Sequence, residues 1–414
     1  MNKKFDVTVI GGGPGGMAAA LAAAKEGVSV ALLERDDKLG GILNQCIHNG
    51  FGLHYFGEEL TGPEYAYRFK KQVEATPGIT VFLDAMVLSV APDGKSLSVV
   101  SPKEGAFTVE TRALVFATGC RERTAGAISM CGTRPAGIYT AGMAQRLCNA
   151  DGWMVGKNVV ILGSGDIGLI MARRMKYEGA DVKMVVELMP YSSGLKRNVV
   201  SCVEDFGIPL LFSTTITRVV GEKRVEGVYI ASVDEKGVPK PETERFVPCD
   251  TVLLSVGLIP ETELCNSLGV RQDAVTKSAF VDEGRQSSVP GVFFAGNCLH
   301  VHDLADNVTE EGMIAGRAAA LYSLQKTEKR DHVGVFSGHG VRYVLPQIAA
   351  KGQPFDLYFR VDKVYQRGAV QIKAGDAVIK TKKFAVVAPG EMQKIALPGV
   401  NGDVTVEIVG GDAE

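Results

Sequence analysis

The sequence holds no C-x-x-C pair. Its eight cysteines, at positions 46, 120, 131, 148, 202, 249, 265 and 298 of 414 residues, stand far apart. That scatter argues against a disulfide framework, a zinc ribbon or an iron–sulfur centre within the chain. There is no excess of either charge: 45 Lys and Arg face 47 Asp and Glu, a formal net charge of -2. Such a balance gives no general attraction to nucleic acid or to an anionic membrane. No apolar run reaches the roughly 18 residues of a membrane span. The opening Met-Asn-Lys-Lys passes into an apolar run within five residues, with no room for a signal peptide. A cytoplasmic protein with no nucleic-acid partner and no membrane span is therefore expected. No internal repeat or low-complexity segment is present. A hydrophobic content of 46% over this length supports two or three domains with sizeable cores.

What is present begins at once. Phe5 to Ile10 is a β-rich apolar run, and Gly11, Gly13 and Gly16 form a G-x-G-x-x-G turn. Met17 to Lys25 is Ala-rich helix former, and Val28 to Leu33 is a second apolar run closed by Glu34. Gly11 permits the turn. Gly13 lets backbone amides approach a pyrophosphate at the positive end of the helix, and Gly16 lets helix and strand pack closely. The Glu34 carboxylate suits the two hydroxyls of an adenosine ribose. The competing reading is a Gly-rich turn with no ligand; strand, helix, second strand and terminal acid at the expected spacing favour a dinucleotide.

A second unit of the same kind follows. Val159 to Gly168, VVILGSGDIG, reads as a strand entering a glycine turn, with a helix to Glu178, a strand Val182 to Val186 and an acid at Glu187. A carboxylate there suits the free 2′-hydroxyl of NAD and repels the 2′-phosphate of NADP. NAD(H) is thus favoured over NADP(H), and a pocket that is empty or holds ATP stays open as the alternative.

Four ordered motifs together carry a resemblance: GGGPGG with its acid and the following Leu39-Gly40-Gly41; LVFATG at Leu114 to Gly119; VVILGSGDIG; and GVFFAGN at Gly291 to Asn297. The chain resembles the two-dinucleotide-binding flavoproteins related to glutathione and thioredoxin reductases over about residues 5 to 325. The resemblance implies an α/β fold with two Rossmann-like dinucleotide-binding domains plus a small C-terminal β domain. Residues 1–122 and 258–327 would form a discontinuous FAD-binding domain and residues 123–257 the NAD(H)-binding domain, with VLLSVG at Val252 to Gly257 returning the chain. FAD contacts are implied at Gly11, Gly13, Pro14, Gly15, Gly16, Glu34, Arg35, Gly40, Gly41, Val87, Thr118, Gly119, Gly296, Asn297, Thr309 and Gly312. Nicotinamide-nucleotide contacts are implied at Gly163, Gly165, Asp166, Gly168, Glu187 and Gly257.

The departures from the family pattern matter as much. Where disulfide reductases of this kind carry two redox cysteines, three and eight residues after Gly40, this chain has Leu43 and His48. Cys46 lies between them and reads more simply as a small apolar residue than as a redox thiol. Asn297 replaces the usual acid of the flavin turn and brings no charge. His300, His302 and Asp303 follow it. Without an evident third or fourth ligand they read as polar contacts to the flavin or a neighbouring loop rather than as a metal site. Cys46, His48, His300 and His302 are the candidate catalytic residues. A helix is expected to open near Thr309 to Gly312, its amino end facing the flavin pyrimidine.

After the charged stretch Lys326 to Asp331 the pattern turns to short period-two runs: Val341 to Leu345, Leu357 to Val361, Ala369 to Ile372, Lys383 to Val387 and Val404 to Ile408. Residues 333–414 are therefore expected to form a small β domain, either a docking module or a stabilising cap. The runs GGILNQCIHNGFG and AGNCLHVHDLADNVTEEG resemble flavoprotein subunits of multi-subunit dehydrogenases: opine and proline dehydrogenase, hydrogen-cyanide synthase, heterotetrameric sarcosine oxidase, and the reductase encoded beside anaerobic glycerol-3-phosphate dehydrogenase. That implies two partners, a small redox protein and a second flavoprotein dehydrogenase subunit. Three readings follow. One is an FAD enzyme exchanging a hydride with NAD(H) and relaying electrons to a partner. Another is a self-contained NADH oxidase, which would need Cys46 or Cys298 as a sulfenate. The last is a chain that holds nucleotides without turnover inside a dehydrogenase complex.

Overall fold

The computed structural model describes residues 2–328 and 330–413; of the charged stretch, Lys329 lies outside the described residues. The chain divides into two compact units, one running to Cys120 and resuming at Pro260, the other spanning Arg121–Ile259.

In the first unit Asn2–Ile10 lies between Val30–Leu33 and Gly105–Phe116, all parallel, with Ile79–Phe82 beyond Val30–Leu33. Val292–Phe294 pairs with the last residues of Gly105–Phe116, while Ser96–Ser101 and Met86–Val90 extend the sheet antiparallel from its other part. The central strands are apolar without alternation because both faces are covered: Val7, Val9, Val30, Leu32, Leu114 and Val115 have no exposed surface. Parallel pairing brings Ile10, Leu33, Phe116 and Phe294 to one edge. Ligands of open α/β sheets bind off that carboxyl edge.

Two helices approach each other there with backbones almost touching. In Ala305–Ser323 a Cβ at Gly312 would stand 2.2 Å from Gly15 O, and one at Gly316 would stand 2.1 Å from Ala19 O. The Ala-rich face of Pro14–Lys25 accepts this closeness. The helix expected to open at Thr309 to Gly312 begins instead at Ala305. Its polar first turn, Ala-Asp-Asn, gives no apolar periodicity, so the sequence pattern misses it. Thr309 and Gly312 are therefore inside the helix, with no exposed Thr309 surface and its hydroxyl 2.8 Å from Tyr65 OH.

The C-terminal region is all β, and more of it is strand than the sequence pattern suggests. His332–Ser337, Ile348–Ala350 and Gln393–Leu397 join the expected runs, and Tyr365–Ala374, Ala377–Val387 and Val404–Ala413 are longer than expected. Alternation along Phe355–Val361 turns Leu357, Phe359 and Val361 into this region's own core. Tyr358 faces the other way, into the core of Phe116, Phe294 and Leu299, where Leu345 joins it. The C-terminal strands thus share a core with the first sheet and belong to the same compact unit.

The second unit has a parallel sheet in the order Ile138–Thr140, Thr251–Leu254, Asn158–Leu162, Asp181–Val186, Leu210–Leu211. An antiparallel sheet of Thr214–Val220, Gly227–Ser232 and Arg245–Pro248 accompanies it. Among the described residues, no helix is long and apolar enough to cross a membrane.

Candidate active site

The three glycines of the first turn do different work. Gly11 has φ +105°, and a Cβ on it would lie 2.3 Å from Ala117 O; a Cβ on Gly16 would lie 1.7 Å from Gly11 O. Both are demanded by the fold. A Cβ on Gly13 would meet nothing within 4 Å. That open space lies over the first turn of Pro14–Lys25, whose cap at Gly13 carries no side-chain hydrogen bond. The free amides and the helix dipole make a cradle for a diphosphate. Gly41, with φ +53°, forms the facing wall, where a Cβ would lie 3.2 Å from Gly13 Cα. Gly119 and Gly296, both at φ +73°, hold further turns on this edge. The residues present fit FAD.

Glu34 is buried, and its carboxylate accepts from Gly12 N at 2.6 Å and Asp36 N at 2.8 Å. Burial raises its pKa against the pull of those two amides. The acid therefore clamps the glycine turn. Arg35 beside it is exposed. Thr118 Oγ1 donates to Glu261 O at 2.6 Å, so it braces the returning chain. The Val87 side chain is in the core, on a strand paired through Val99. Asn297 Oδ1 accepts from His302 N at 3.1 Å.

The second turn repeats the clamp. Glu187 accepts from Ser164 N at 2.8 Å, Ser164 Oγ at 2.5 Å and Met189 N at 2.9 Å. Cβ atoms on Gly163, Gly165 and Gly168 would come within 2.1 Å of Ser255 O, 2.8 Å of Ser255 Oγ and 2.6 Å of Ser255 Cβ, so all three glycines are packed. Asp166 opens the following helix, and its Oδ1 accepts from Leu195 N at 2.8 Å and Asn198 Nδ2 at 2.6 Å. Its carboxylate thus holds the loop after Glu187. Gly257, at φ +99°, lies close to Arg123.

The four candidate catalytic residues stand in different surroundings. Cys46 is 8% exposed, its thiol donates to Ile42 O at 3.3 Å, and burial pushes its pKa up to about 12. A protonated, shielded sulfur is a poor redox nucleophile and packs as a small apolar residue does. Cys298 is likewise enclosed, with its thiol 3.2 Å from both Phe116 O and Ala295 O, and burial raises its pKa. His48 is half-buried, its ring 5.1 Å from that of Phe51.

His300 and His302 do come together, but facing inward. Their side chains are 1% and 0% exposed, and their Nε2 atoms lie 3.2 and 2.9 Å from the two oxygens of Glu311. Both rings thus direct Nε2 to Glu311. Burial pulls His300 down to about 4. Burial alone would raise Glu311, but the two imidazoles hold it well below the usual carboxylate range. These three residues lie close enough to share a metal ion. The same carboxylate, however, accepts from Arg285 Nε at 2.9 Å and Gly296 N at 2.9 Å. The guanidinium supplies the compensating charge that a metal would otherwise bring.

The sequence reading missed Glu311, Arg285 and Asp306. Asp306, 1% exposed, accepts from Gly52 N at 3.2 Å and Tyr55 N at 3.1 Å, and so ties the segment after His48 to the amino end of Ala305–Ser323. A signal for Glu311 does exist. It is an acid in register with Ala315 and Ala319, on the apolar face of its helix. Arg285 has no such sign.

Comparison with known proteins agrees with this geometry. Residues 5–312 match the family described as pyridine nucleotide-disulphide oxidoreductase. The chain is 25% identical to hydrogen cyanide synthase subunit HcnB of Pseudomonas aeruginosa, over 95% of this chain and 85% of that one. It is 27% identical to an opine oxidase subunit of Agrobacterium tumefaciens, over 77% of this chain and 65% of that one. The solved structure of T. acidophilum thioredoxin reductase superposes with a TM-score of 0.63 at 25% identity, over 78% of this chain and 100% of that one. With its open diphosphate cradle and two clamped glycine turns, the chain belongs to the pyridine nucleotide-disulphide oxidoreductase family and is an FAD-dependent NAD(P)H oxidoreductase.

Proposed function

We propose that this flavoprotein exchanges a hydride between NAD(H) and FAD and relays electrons to or from a partner, a dehydrogenase subunit or a small redox protein, without an internal disulfide. The observation that carries the reading is the composition of the segment beside the FAD cradle. Leu43 and His48 stand where the family's dithiol would be, and the intervening Cys46 is buried, hydrogen-bonded and protonated. FAD supplies the two-electron carrier. Gly13, Gly41 and the amides opening Pro14–Lys25 would hold its diphosphate, Glu34 its ribose, and the Gly296–Asn297 turn its ribityl side. Glu187, already fixed by three donors, supports NAD(H) over NADP(H) through like-charge repulsion of a 2′-phosphate.

Two relatives are named as subunits, which supports a partner for this chain as well. A self-contained oxidase working through a cysteine sulfenate is not favoured, because the thiols of both Cys46 and Cys298 are enclosed and raised. Anaerobic stopped-flow with NADH, paired with aerobic oxygen uptake, tests the reading. Flavin bleaching with little oxygen consumption is expected. Rapid oxygen uptake would mean an oxidase, and no bleaching would mean a chain that only holds nucleotides.

A further inference from the structure

Glu311 is the centre of a buried polar cluster. It has no exposed surface, and one oxygen accepts from Arg285 Nε and His300 Nε2 while the other accepts from Gly296 N and His302 Nε2. Both imidazoles face a carboxylate through Nε2, so each donates from that atom, and His300, kept neutral by burial, retains Nδ1 as an acceptor. His302 also closes back on the turn through its own amide, which donates to Asn297 Oδ1. The turn that offers Gly296 and Asn297 to the flavin is therefore laced at its back around one side chain.

The outer layer of that lacing comes from the C-terminal strands. Tyr343 OH lies 3.2 Å from His300 Nδ1. The Tyr358 ring stands edge-on to His300, with centroids 5.9 Å apart, and lies under the Arg285 guanidinium at 5.4 Å. Arg360 donates to Val301 O at 3.0 Å and pairs with Asp303, whose other oxygen accepts from Met392 N at 2.7 Å. A region attached only to dock a partner has no need to supply hydrogen bonds to His300, Val301 and Asp303, the residues that directly follow the flavin turn of its own chain.

We infer that Glu311 is a positioning residue for the flavin-binding turn and that the C-terminal β region, through Tyr343 and Arg360, is a constitutive half of the FAD site. The inference rests on the FAD reading of that turn. It follows that a protein bound to the C-terminal strands would be felt at the flavin.

The test uses the full chain. Tyr343→Phe removes one hydroxyl and keeps the ring, Glu311→Gln keeps the shape and removes the charge, and Lys382→Ala on an exposed strand position is the control. FAD dissociation constants from flavin fluorescence and midpoint potentials from dye equilibration are compared with the unmodified chain. Tyr343→Phe is expected to weaken FAD by about two- to tenfold, the range of one net hydrogen bond. Glu311→Gln is expected to weaken it by about a hundredfold or more, and to move the potential upward as negative charge is lost behind the turn. Lys382→Ala should change neither. If Glu311→Gln does not fold, Tyr343→Phe decides alone. Unaltered FAD affinity and potential in the folded variants, with only thermal stability lowered, would overturn the inference. So would stoichiometric zinc or iron in the purified chain whose removal leaves FAD affinity unchanged. An unmodified chain that takes up no FAD would overturn the flavin reading and this inference with it.

Discussion

The glycine turn makes an unusually clean prediction, because its three glycines differ in what a side chain would strike. At Gly13 the backbone has φ -72° and ψ -174°, a conformation any residue adopts, and a Cβ there meets nothing within 4 Å. Gly13→Val should therefore fold. Its stability should be unchanged or higher by about 0.4 to 1 kcal/mol, because the unfolded chain loses freedom. The added methyls occupy the space through which a diphosphate must reach the amides. Losing two amide-to-phosphate hydrogen bonds, each worth about 1.5 to 3 kcal/mol when the acceptor is charged, weakens FAD by roughly 3 to 6 kcal/mol. That is about a hundredfold to ten-thousandfold in Kd. At Gly16, by contrast, a Cβ would lie 1.7 Å from Gly11 O, so Gly16→Ala should lose stability before ligand binding is in question. The assay pairs thermal unfolding by circular dichroism with flavin absorbance of the purified protein and titration of the apoprotein. A Gly13→Val protein with full flavin would refute the cradle, and one that failed to fold would refute the division of labour among the glycines.

The nucleotide preference and the acid response follow from other parts of the structure. Replacing Glu187 by Arg should move kcat/KM from NADH toward NADPH by roughly tenfold to a hundredfold. It should also loosen the turn, since Ser164 N and Met189 N lose their acceptor; equal use of the two nucleotides by the unmodified protein would contradict the assignment. Burial lowers His300 from 6.5 to about 4, so the unfolded chain binds a proton that the folded chain refuses in that interval. Stability should therefore be full above about pH 6.5 and fall by about 3 kcal/mol as the pH drops toward 4. Asp282, pushed up to about 6 by burial, contributes with the opposite sign in the same window. The slope is best measured in Asp282→Asn, and a flat stability profile there would contradict a buried neutral His300.

Much of this was legible in the sequence because it is enforced locally. A glycine turn between a strand and a helix is a backbone necessity, and Gly11, Gly16, Gly163 and Gly168 sit where a Cβ would strike backbone or the Ser255 side chain. The acids Glu34 and Glu187 end their strands, so spacing alone finds them. Long-range partners were not legible. His300 and His302 look like available imidazoles until Glu311, on the next helix, is seen to take both, and Arg285 reaches the same carboxylate from a loop with no helical or strand signature. The early start of Ala305–Ser323 was hidden by its polar first turn, whose Asp306 faces inward to Gly52 and Tyr55. The C-terminal strands read as a separate module because their alternation is self-consistent. Leu345 and Tyr358, with Met392 packed beside them, join these strands to the flavin-domain core.

The central claim is that no second redox pair sits beside the flavin, and an anaerobic reductive titration counts the pairs directly. The family's dithiol would store two electrons beyond those on the flavin, whereas Leu43 and His48 store none and the Cys46 thiol is protonated and donates to Ile42 O. The account predicts complete reduction with one equivalent of NADH or dithionite per FAD. A requirement for two equivalents, with two protein thiols appearing on reduction, would contradict it.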